Sequence, residues 1–135
     1  MATALSDNGY DTLYLHPGYS WFYNRDSALS HMGIEDKVFI DDFEDTSGLD
    51  TVFLDKLTDE LESRTANGEK LFTYSTTMQN HQAYNYAKYG FELPRVQTSV
   101  PLSPEAEEYL SVYTYGIQCS SEMLKALTEY LNALS

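Results

Sequence analysis

The stretch "YDTLYLHPGYSWFYNRDSALSHMG" (residues 10–33) decides the fold, because a short apolar run is followed by an aromatic loop and then a helix-like segment. Its first seven residues are predicted to form a buried strand, with Leu13 and Leu15 on one face and Tyr14 on the other. The segment "RDSALSHMG" is typical of a short helix, with aspartate in its first turn and Gly33 after its end. This order of elements indicates an α/β layer.

The neighbouring segments extend this α/β pattern in both directions. Residues 2–8 are predicted to be the end of a helix that the following glycine closes. Residues 36–41 ("DKVFID") are predicted to be a second strand, which leads into the acidic loop "DDFEDTSG". Residues 49–64 have the apolar spacing of an amphipathic helix, with Ser47 as the predicted N-cap and "ANG" at 66–68 as the predicted stop.

The second half of the chain adds one strand and a long helical pattern. Residues 70–78 ("KLFTYSTTM") are predicted to be a third strand. Ser103 and Pro104 predict a helix start, and Gly116 leaves open whether one long helix or two follow. One apolar stripe runs to the C-terminus: Ala106, Leu110, Tyr113, Ile117, Leu124, Leu127, Leu131 and Leu134. We therefore expect a single domain over residues 1–135, of class α/β, with a small, mostly parallel sheet and flanking helices.

Composition excludes several classes of function. The chain has 135 residues, of which 42% are hydrophobic, so it is expected to fold. Its net charge of −13 argues against binding to nucleic acids or to anionic membrane surfaces. We expect no signal peptide and no membrane-spanning segment. The single cysteine, Cys119, excludes an internal disulfide and is expected to be an inert thiol.

Two histidines and one arginine are the strongest candidates for a binding site. His16 and His81 follow predicted strands, and Arg25 lies at a helix start. In parallel α/β sheets, ligands bind at the carboxyl ends of the strands, and the guanidinium fork suits phosphate or sulfate. The aromatic residues 21–23 could line the path of such an anion.

Each of these features has an alternative interpretation. The histidines could be hydrogen-bonded surface residues, Arg25 could pair with one of 21 acidic residues, and the aromatic residues could be padding under a loop. His31 is expected to be an ordinary surface residue. A further cluster of acidic residues could hold a hard cation, but it matches no known metal-loop spacing, and a solvated loop is favoured. That cluster consists of Asp41, Asp42, Glu44 and Asp45.

Three sequence blocks in this order resemble the sulfatase-type domain of lipoteichoic acid synthase and related phosphoglycerol transferases. They are "LHPGYSWFYNRDSALSHMGIEDKVFIDDF", a helix opened by Gly-Leu-Asp, and "FTYSTTMQNHQAY". The resemblance implies a partial alkaline-phosphatase/sulfatase-like layer, on the extracytoplasmic side of a cell membrane. It also implies a manganese-type divalent metal and transfer of glycerol phosphate from phosphatidylglycerol through a covalent threonine.

The resemblance also assigns roles to four residues. His16 of "LHP", Tyr23 and Arg25 of "YNRD", and His81 of "QNH" would bind phosphoglycerol or another anionic head group. The metal-binding acid and nucleophilic threonine of the family lie upstream of these blocks, and its Asp-His metal pair lies downstream. In the family, the last helix usually carries an aspartate near the position of Ser121. We therefore expect a central segment with no catalytic residue, metal ligand or cofactor of its own, inactive alone.

Other functions remain open at this point. Twelve tyrosines favour a stand-alone module that binds an anion or a glycan, and a structural or partner-binding piece is a further alternative. A complete metalloenzyme would need the acidic loop to form the whole metal site. Because a partial layer would leave sheet edges and apolar stripes uncovered, we expect a homo-oligomer.

Overall fold

The chain forms two compact units in a computed structural model that describes residues 2–81 and 83–134. One unit runs as far as Met78, and the other begins at Gln79. The expectation of a single domain stays a prediction.

The first unit is a three-stranded parallel sheet with helices between the strands. The strands are ordered β2-β1-β3, and β1 is parallel to both neighbours, as the α/β pattern predicts. Its elements are helix α1 (Ala2–Ser6), strand β1 (Tyr10–Leu15), helix α2 (Arg25–His31), strand β2 (Asp36–Val38), helix α3 (Asp50–Thr65) and strand β3 (Lys70–Ser75).

Both faces of β1 are buried, as its apolar sequence predicts. Tyr14 belongs to a core cluster that also contains Leu29 of α2 and Phe39. Leu13 and Leu15 alternate with Tyr14 along the strand and are fully buried. Because β1 is the central strand, the residue that follows it lies in the interior of the unit rather than at a sheet edge.

Several sequence predictions of where elements begin or end are wrong. Strand β3 ends at Ser75 rather than at residue 78, and helix α1 ends at Ser6 rather than at residue 8. Strand β2 ends at Val38 rather than at residue 41, because the chain turns into a short 3-10 helix in which Asp42 accepts a hydrogen bond from the Phe39 N–H at 2.9 Å. The N-cap of α3 is Leu49 and not Ser47, whose hydroxyl instead accepts a hydrogen bond from the Leu49 N–H at 3.4 Å.

The second unit is built on one long helix, α4 (Pro104–Ala133). Ser103 caps it by accepting a hydrogen bond from the Ala106 N–H at 3.2 Å, as predicted, and Gly116 does not interrupt it. The preceding segment is irregular and is held to the helix by side chains, for example by Glu108, which accepts from the Tyr86 N–H at 2.7 Å. Among the residues that the structure describes, no helix is long and apolar enough to cross a membrane.

Candidate functional site

His16 is fixed in place at the carboxyl end of β1. Its backbone N–H donates to the Val38 carbonyl at 3.0 Å, and its imidazole is fully buried. Its Nδ1 lies 2.8 Å from the carbonyl oxygen of Thr76, which follows β3. Because a carbonyl only accepts, Nδ1 carries the proton in this bond, and the opposite ring nitrogen, Nε2, is directed toward Gly18.

Gly18 is the point at which His16 and Arg25 converge. A Cβ at this position would collide with the His16 imidazole at Nε2 and Cδ2, and it would lie 3.3 Å from Nη1 of Arg25. The glycine therefore provides the space that lets an imidazole and a guanidinium lie side by side. Both groups can donate hydrogen bonds to an anion, the histidine in its protonated form.

The Arg25 guanidinium contacts aromatic rings rather than acids. Its Cζ lies 5.9 Å from the ring centroid of Phe22 and 5.8 Å from that of Tyr23. Within residues 2–81 and 83–134 it forms no ion pair with a carboxylate. Among these residues, therefore, Arg25 does not pair with an acidic side chain, contrary to the alternative interpretation.

The loop before Arg25 displays its aromatic rings on the surface. Tyr19 stacks on Trp21 at 5.4 Å, and Phe22 contacts Tyr23 at 4.4 Å between ring centroids. The Tyr23 side chain is 79% exposed, so these rings are not padding under the loop.

The backbone of this loop is strained where the site tyrosine lies. Tyr23 and Asn24 have φ angles of 55° and 52°, a left-handed conformation that costs about 1–3 kcal/mol for a residue such as tyrosine. Such strain persists only where the surrounding structure imposes it, and it is typical of binding loops. Here it accompanies a tyrosine ring held out toward solvent beside the guanidinium.

His81, the fourth predicted residue, belongs to the second unit and is exposed. Its carbonyl accepts a hydrogen bond from Lys88 Nζ, and the carbonyl of Asn80 accepts one from the Tyr84 hydroxyl at 2.9 Å. The structure thus brings His16, Tyr23 and Arg25 together in one unit, and it fixes the His81 backbone within the other.

Gly116 allows the segment that contains Asn80 and His81 to lie against α4. A Cβ on Gly116 would collide with the Asn80 side-chain amide and would lie 3.5 Å from the Tyr89 hydroxyl. Glycine in the middle of a helix is otherwise unfavourable by about 0.5–1 kcal/mol relative to alanine. The close approach of Asn80 is therefore the physical reason for a glycine at this position.

The acidic loop, the alternative candidate for a hard-cation site, forms local hydrogen bonds with its own backbone. Asp42 and Asp45 accept hydrogen bonds from nearby backbone N–H groups, the latter from Ser47 at 2.7 Å. No three histidine, cysteine, aspartate or glutamate side chains gather as possible metal ligands in the described part of the chain. The acids here act as local caps and surface charges.

Cys119 is partly buried on α4 and is free of any disulfide. Its hydrogen bond with Tyr115, together with burial, raises the pKa of that tyrosine. It lies in the second unit.

Three structural contributors to the site were missed at the level of sequence. Gly18 and Gly116 provide space, and the Thr76 carbonyl sets the His16 tautomer. The "HPG" tripeptide carried a signal for Gly18, since glycine beside a candidate ligand group often permits close approach. The contact of the Thr76 carbonyl could not be found in this way, because every residue has a backbone carbonyl and the residue type does not show which one a histidine will contact.

A parallel sheet with helices between its strands defines an α/β protein, and comparison with known proteins identifies the family. The Sulfatase family profile matches residues 1–135, so the chain belongs to the sulfatase family. No curated protein sequence shows a significant match.

Two solved structures are similar in fold. The lipoteichoic acid synthase LtaP from Listeria monocytogenes superposes with a TM-score of 0.71 at 20% identity, over 95% of this chain and 32% of that one. A protein in the alkaline phosphatase superfamily from Vibrio parahaemolyticus gives 0.59 at 18% identity, over 93% and 31%. The chain thus spans about a third of the structures that it resembles.

Proposed function

We propose that this chain carries part of the head-group pocket of a sulfatase-like phosphoglycerol transferase, formed in the first unit by His16, Tyr23 and Arg25. The observation that supports it best is the convergence of His16 and Arg25 at Gly18, with no described carboxylate paired to the guanidinium. A free guanidinium beside an imidazole is a suitable receptor for a phosphate group, because its planar fork matches two phosphate oxygens.

Each residue has a distinct part in the proposed pocket. Arg25 supplies the permanent positive charge, and His16 supplies a donor from Nε2 when it is protonated. The exposed Tyr23 ring offers a hydroxyl and an apolar face to the glycerol moiety. His81, in the second unit, is a separate candidate for binding an anionic head group.

The proposal concerns binding, and turnover would require groups beyond those named here. Binding without preferential stabilisation of the transition state is not catalysis. We propose that the nucleophile and a manganese or other divalent ion belong to other parts of a complete sulfatase domain on the extracytoplasmic side of the membrane. This chain alone would then bind the head group and leave it intact.

The test is an NMR titration of the ¹⁵N-labelled full chain with glycerol phosphate. We expect saturable shifts at the backbone amides around His16 and Arg25. Arg25→Ala should weaken binding roughly 10- to 100-fold, since hydrogen bonds to charged groups contribute about 1.5–3 kcal/mol. Arg25→Lys should recover only part of the affinity, because lysine lacks the planar fork.

Arg95→Ala is the matched control, because it also removes one positive charge. Arg95 is mostly exposed and pairs with Glu107 at 3.1 Å in the second unit. Equal loss of binding in Arg95→Ala and Arg25→Ala would mean that only net charge matters and would contradict the proposal. Absence of any saturable shift in the wild type would contradict it as well.

The exposed aromatic loop favours a second candidate, a module that binds glycans by stacking. Tyr19 and Trp21 form a stacked, solvent-facing pair, which is suited to the apolar face of a sugar ring. In that case Trp21→Ala would abolish binding of a neutral oligosaccharide, whereas Arg25→Ala would have little effect. The phosphoglycerol proposal predicts the opposite ranking of the two variants.

A further inference from the structure

Helix α4 has two apolar faces, of which its own unit covers one. Ser111, Val112, Gly116 and Met123 are buried along the first face. The second face consists of large apolar residues that are each 40–58% exposed: Leu110, Tyr113, Ile117, Leu124, Leu131 and Leu134. We call this second face the outer stripe. It contains six of the eight residues of the stripe that the sequence pattern identified. These side chains are partly exposed to solvent, and Tyr113 also contacts the Tyr84 ring of its own unit at 5.5 Å.

The outer stripe has the spacing of a helix-pairing seam. Leu110, Ile117, Leu124 and Leu131 follow one another at intervals of seven, which corresponds to the a positions of a heptad repeat. The d positions, three residues after each, hold Tyr113, Ser120, Leu127 and Leu134. A repeat of 3.5 residues sustained over four layers is the pattern by which one helix packs along another.

The charges of the helix lie away from this seam. Between Leu110 and Leu134 the charged residues are Glu122, Lys125 and Glu129, at the outer b and f positions. Lys125 and Glu129 pair with each other at 3.9 Å. The positions that flank the seam are uncharged, so two copies could approach along it even though the chain carries a net charge of −13.

We propose that the outer stripe pairs with the same stripe of a second copy of this chain, in antiparallel orientation. When the two antiparallel helices are centred on residue 122, every a residue lies opposite a d residue of the partner. The pairs are Leu110 with Leu134, Tyr113 with Leu131, Ile117 with Leu127, and Ser120 with Leu124. A parallel pair would place Ser120 opposite Ser120 and would align the acidic first turns of both helices. Antiparallel pairing separates those turns and aligns the helix dipoles favourably.

The expected dimer is weak and reversible. A seam of 25 residues is about 37 Å long, and a helix is about 10 Å wide. This places the interface among the small ones that bury less than about 1,200 Å² in total and belong to transient complexes. We therefore expect a dissociation constant in the micromolar range.

The first test is sedimentation equilibrium of the full chain from 5 to 500 μM. The wild type should move from monomer toward dimer mass, and Leu124→Glu/Leu131→Glu should stay monomeric with an unchanged circular dichroism spectrum. Gln118→Glu, at an outer b position of the same helix, should dimerise like the wild type. A monomeric wild type at 500 μM, or a dimer that persists in the double variant, would overturn the proposal. The stripe would then contact another segment of a sulfatase domain or a different protein.

Cross-linking tests the orientation and does not depend on the glutamate variants folding. In a Cys119→Ala background, Tyr113→Cys mixed with Leu131→Cys should form a disulfide-linked dimer, because these positions face each other in the antiparallel register. Tyr113→Cys alone should not, because its two copies would lie about 27 Å apart along the seam. Equal cross-linking of Tyr113→Cys with itself would overturn the antiparallel arrangement.

Discussion

At the scale of single residues, Gly18 determines whether the two charged groups of the candidate site can lie together. We expect Gly18→Ala to weaken binding of glycerol phosphate at least tenfold, because its Cβ would push the buried His16 imidazole away from Arg25. The same collision should lower the free energy of unfolding by about 1–3 kcal/mol, as overpacking does in a well-packed interior. Urea unfolding and the NMR titration measure the two effects.

Gly90→Ala is the control for replacing a glycine elsewhere. Its Cβ would meet nothing within 4 Å, but its φ of 67° makes alanine strained. Stability should fall while the affinity for glycerol phosphate stays unchanged. Unchanged affinity in Gly18→Ala as well would show that the convergence at Gly18 has no part in binding.

The sequence proposes the residues of the candidate site, and their binding role stays a prediction. The approach of His16 and Arg25 could be predicted, because a histidine that follows a parallel strand and an arginine that starts the next helix both lie at the carboxyl end of that strand. The left-handed backbone of Tyr23 could not be predicted, because the local preferences of tyrosine oppose it and tertiary contacts impose it. How His81 contributes stays a prediction.

At the scale of elements, Arg64 connects α3 to the sheet, and this connection should depend on pH. Arg64 donates to Glu60 at 2.9 Å and also pairs with Asp36 of β2, while Lys56 lies 3.1 Å from Glu60. Burial raises the pKa of Glu60, but the hydrogen bonds from Arg64 and Lys56 outweigh it, so that its pKa lies below the ordinary value of 4.5.

Because the pKa of Glu60 is lowered in the folded state, its ionised form stabilises the fold above pH 4.5, and this contribution is lost as the pH falls through the lower folded value. We expect Glu60→Gln to reduce the free energy of unfolding by about 0.2–1 kcal/mol at pH 7 and by less at pH 3. Chemical unfolding at both values measures the difference. A cost that does not shrink at low pH would exclude the ionic explanation.

Gly116 in α4 offers a test in which the normal effect of a substitution should reverse its sign. Glycine to alanine inside a helix usually stabilises by about 0.5–1 kcal/mol. Here we expect Gly116→Ala to destabilise, because its Cβ would collide with the Asn80 amide, whose Oδ1 is buried and has no hydrogen-bond partner in the described part of the chain.

The double variant Gly116→Ala/Asn80→Ala should recover most of that loss. It removes the obstacle and gives up no hydrogen bond of Asn80 Oδ1. Thermal unfolding of the two single variants and the double variant forms the required cycle. If Gly116→Ala alone raises the melting temperature, the close approach of Asn80 is not what selects glycine here.

The helices were easier to predict than the ends of strands. Ser103 and Pro104 marked the start of α4 because capping and proline chemistry act locally. The apolar run of β2 gave no sign that the chain would turn after Val38, since that turn depends on Asp42 reaching back to the Phe39 N–H. The outer stripe of α4 was visible as a pattern, but its exposure depends on what packs against the helix.

At the scale of the whole molecule, the fold class could be predicted because strands and helices alternate along the chain. The comparisons confirm that class and the sulfatase family. The chain matches about a third of the length of the similar structures, and its parallel sheet has three strands.

The net charge of −13 leads to a prediction about divalent ions. Magnesium and manganese should raise the melting temperature of this chain equally, because both screen the repulsion among its acidic residues. A dedicated manganese site would instead add stability by mass action, about 2.7 kcal/mol at a concentration 100 times the dissociation constant. Differential scanning fluorimetry with each ion separates the two cases, with sodium chloride at matched ionic strength as the control. A saturable rise with manganese alone would mean that the acidic residues form a metal site after all, and the interpretation as a complete metalloenzyme would then replace the one proposed here.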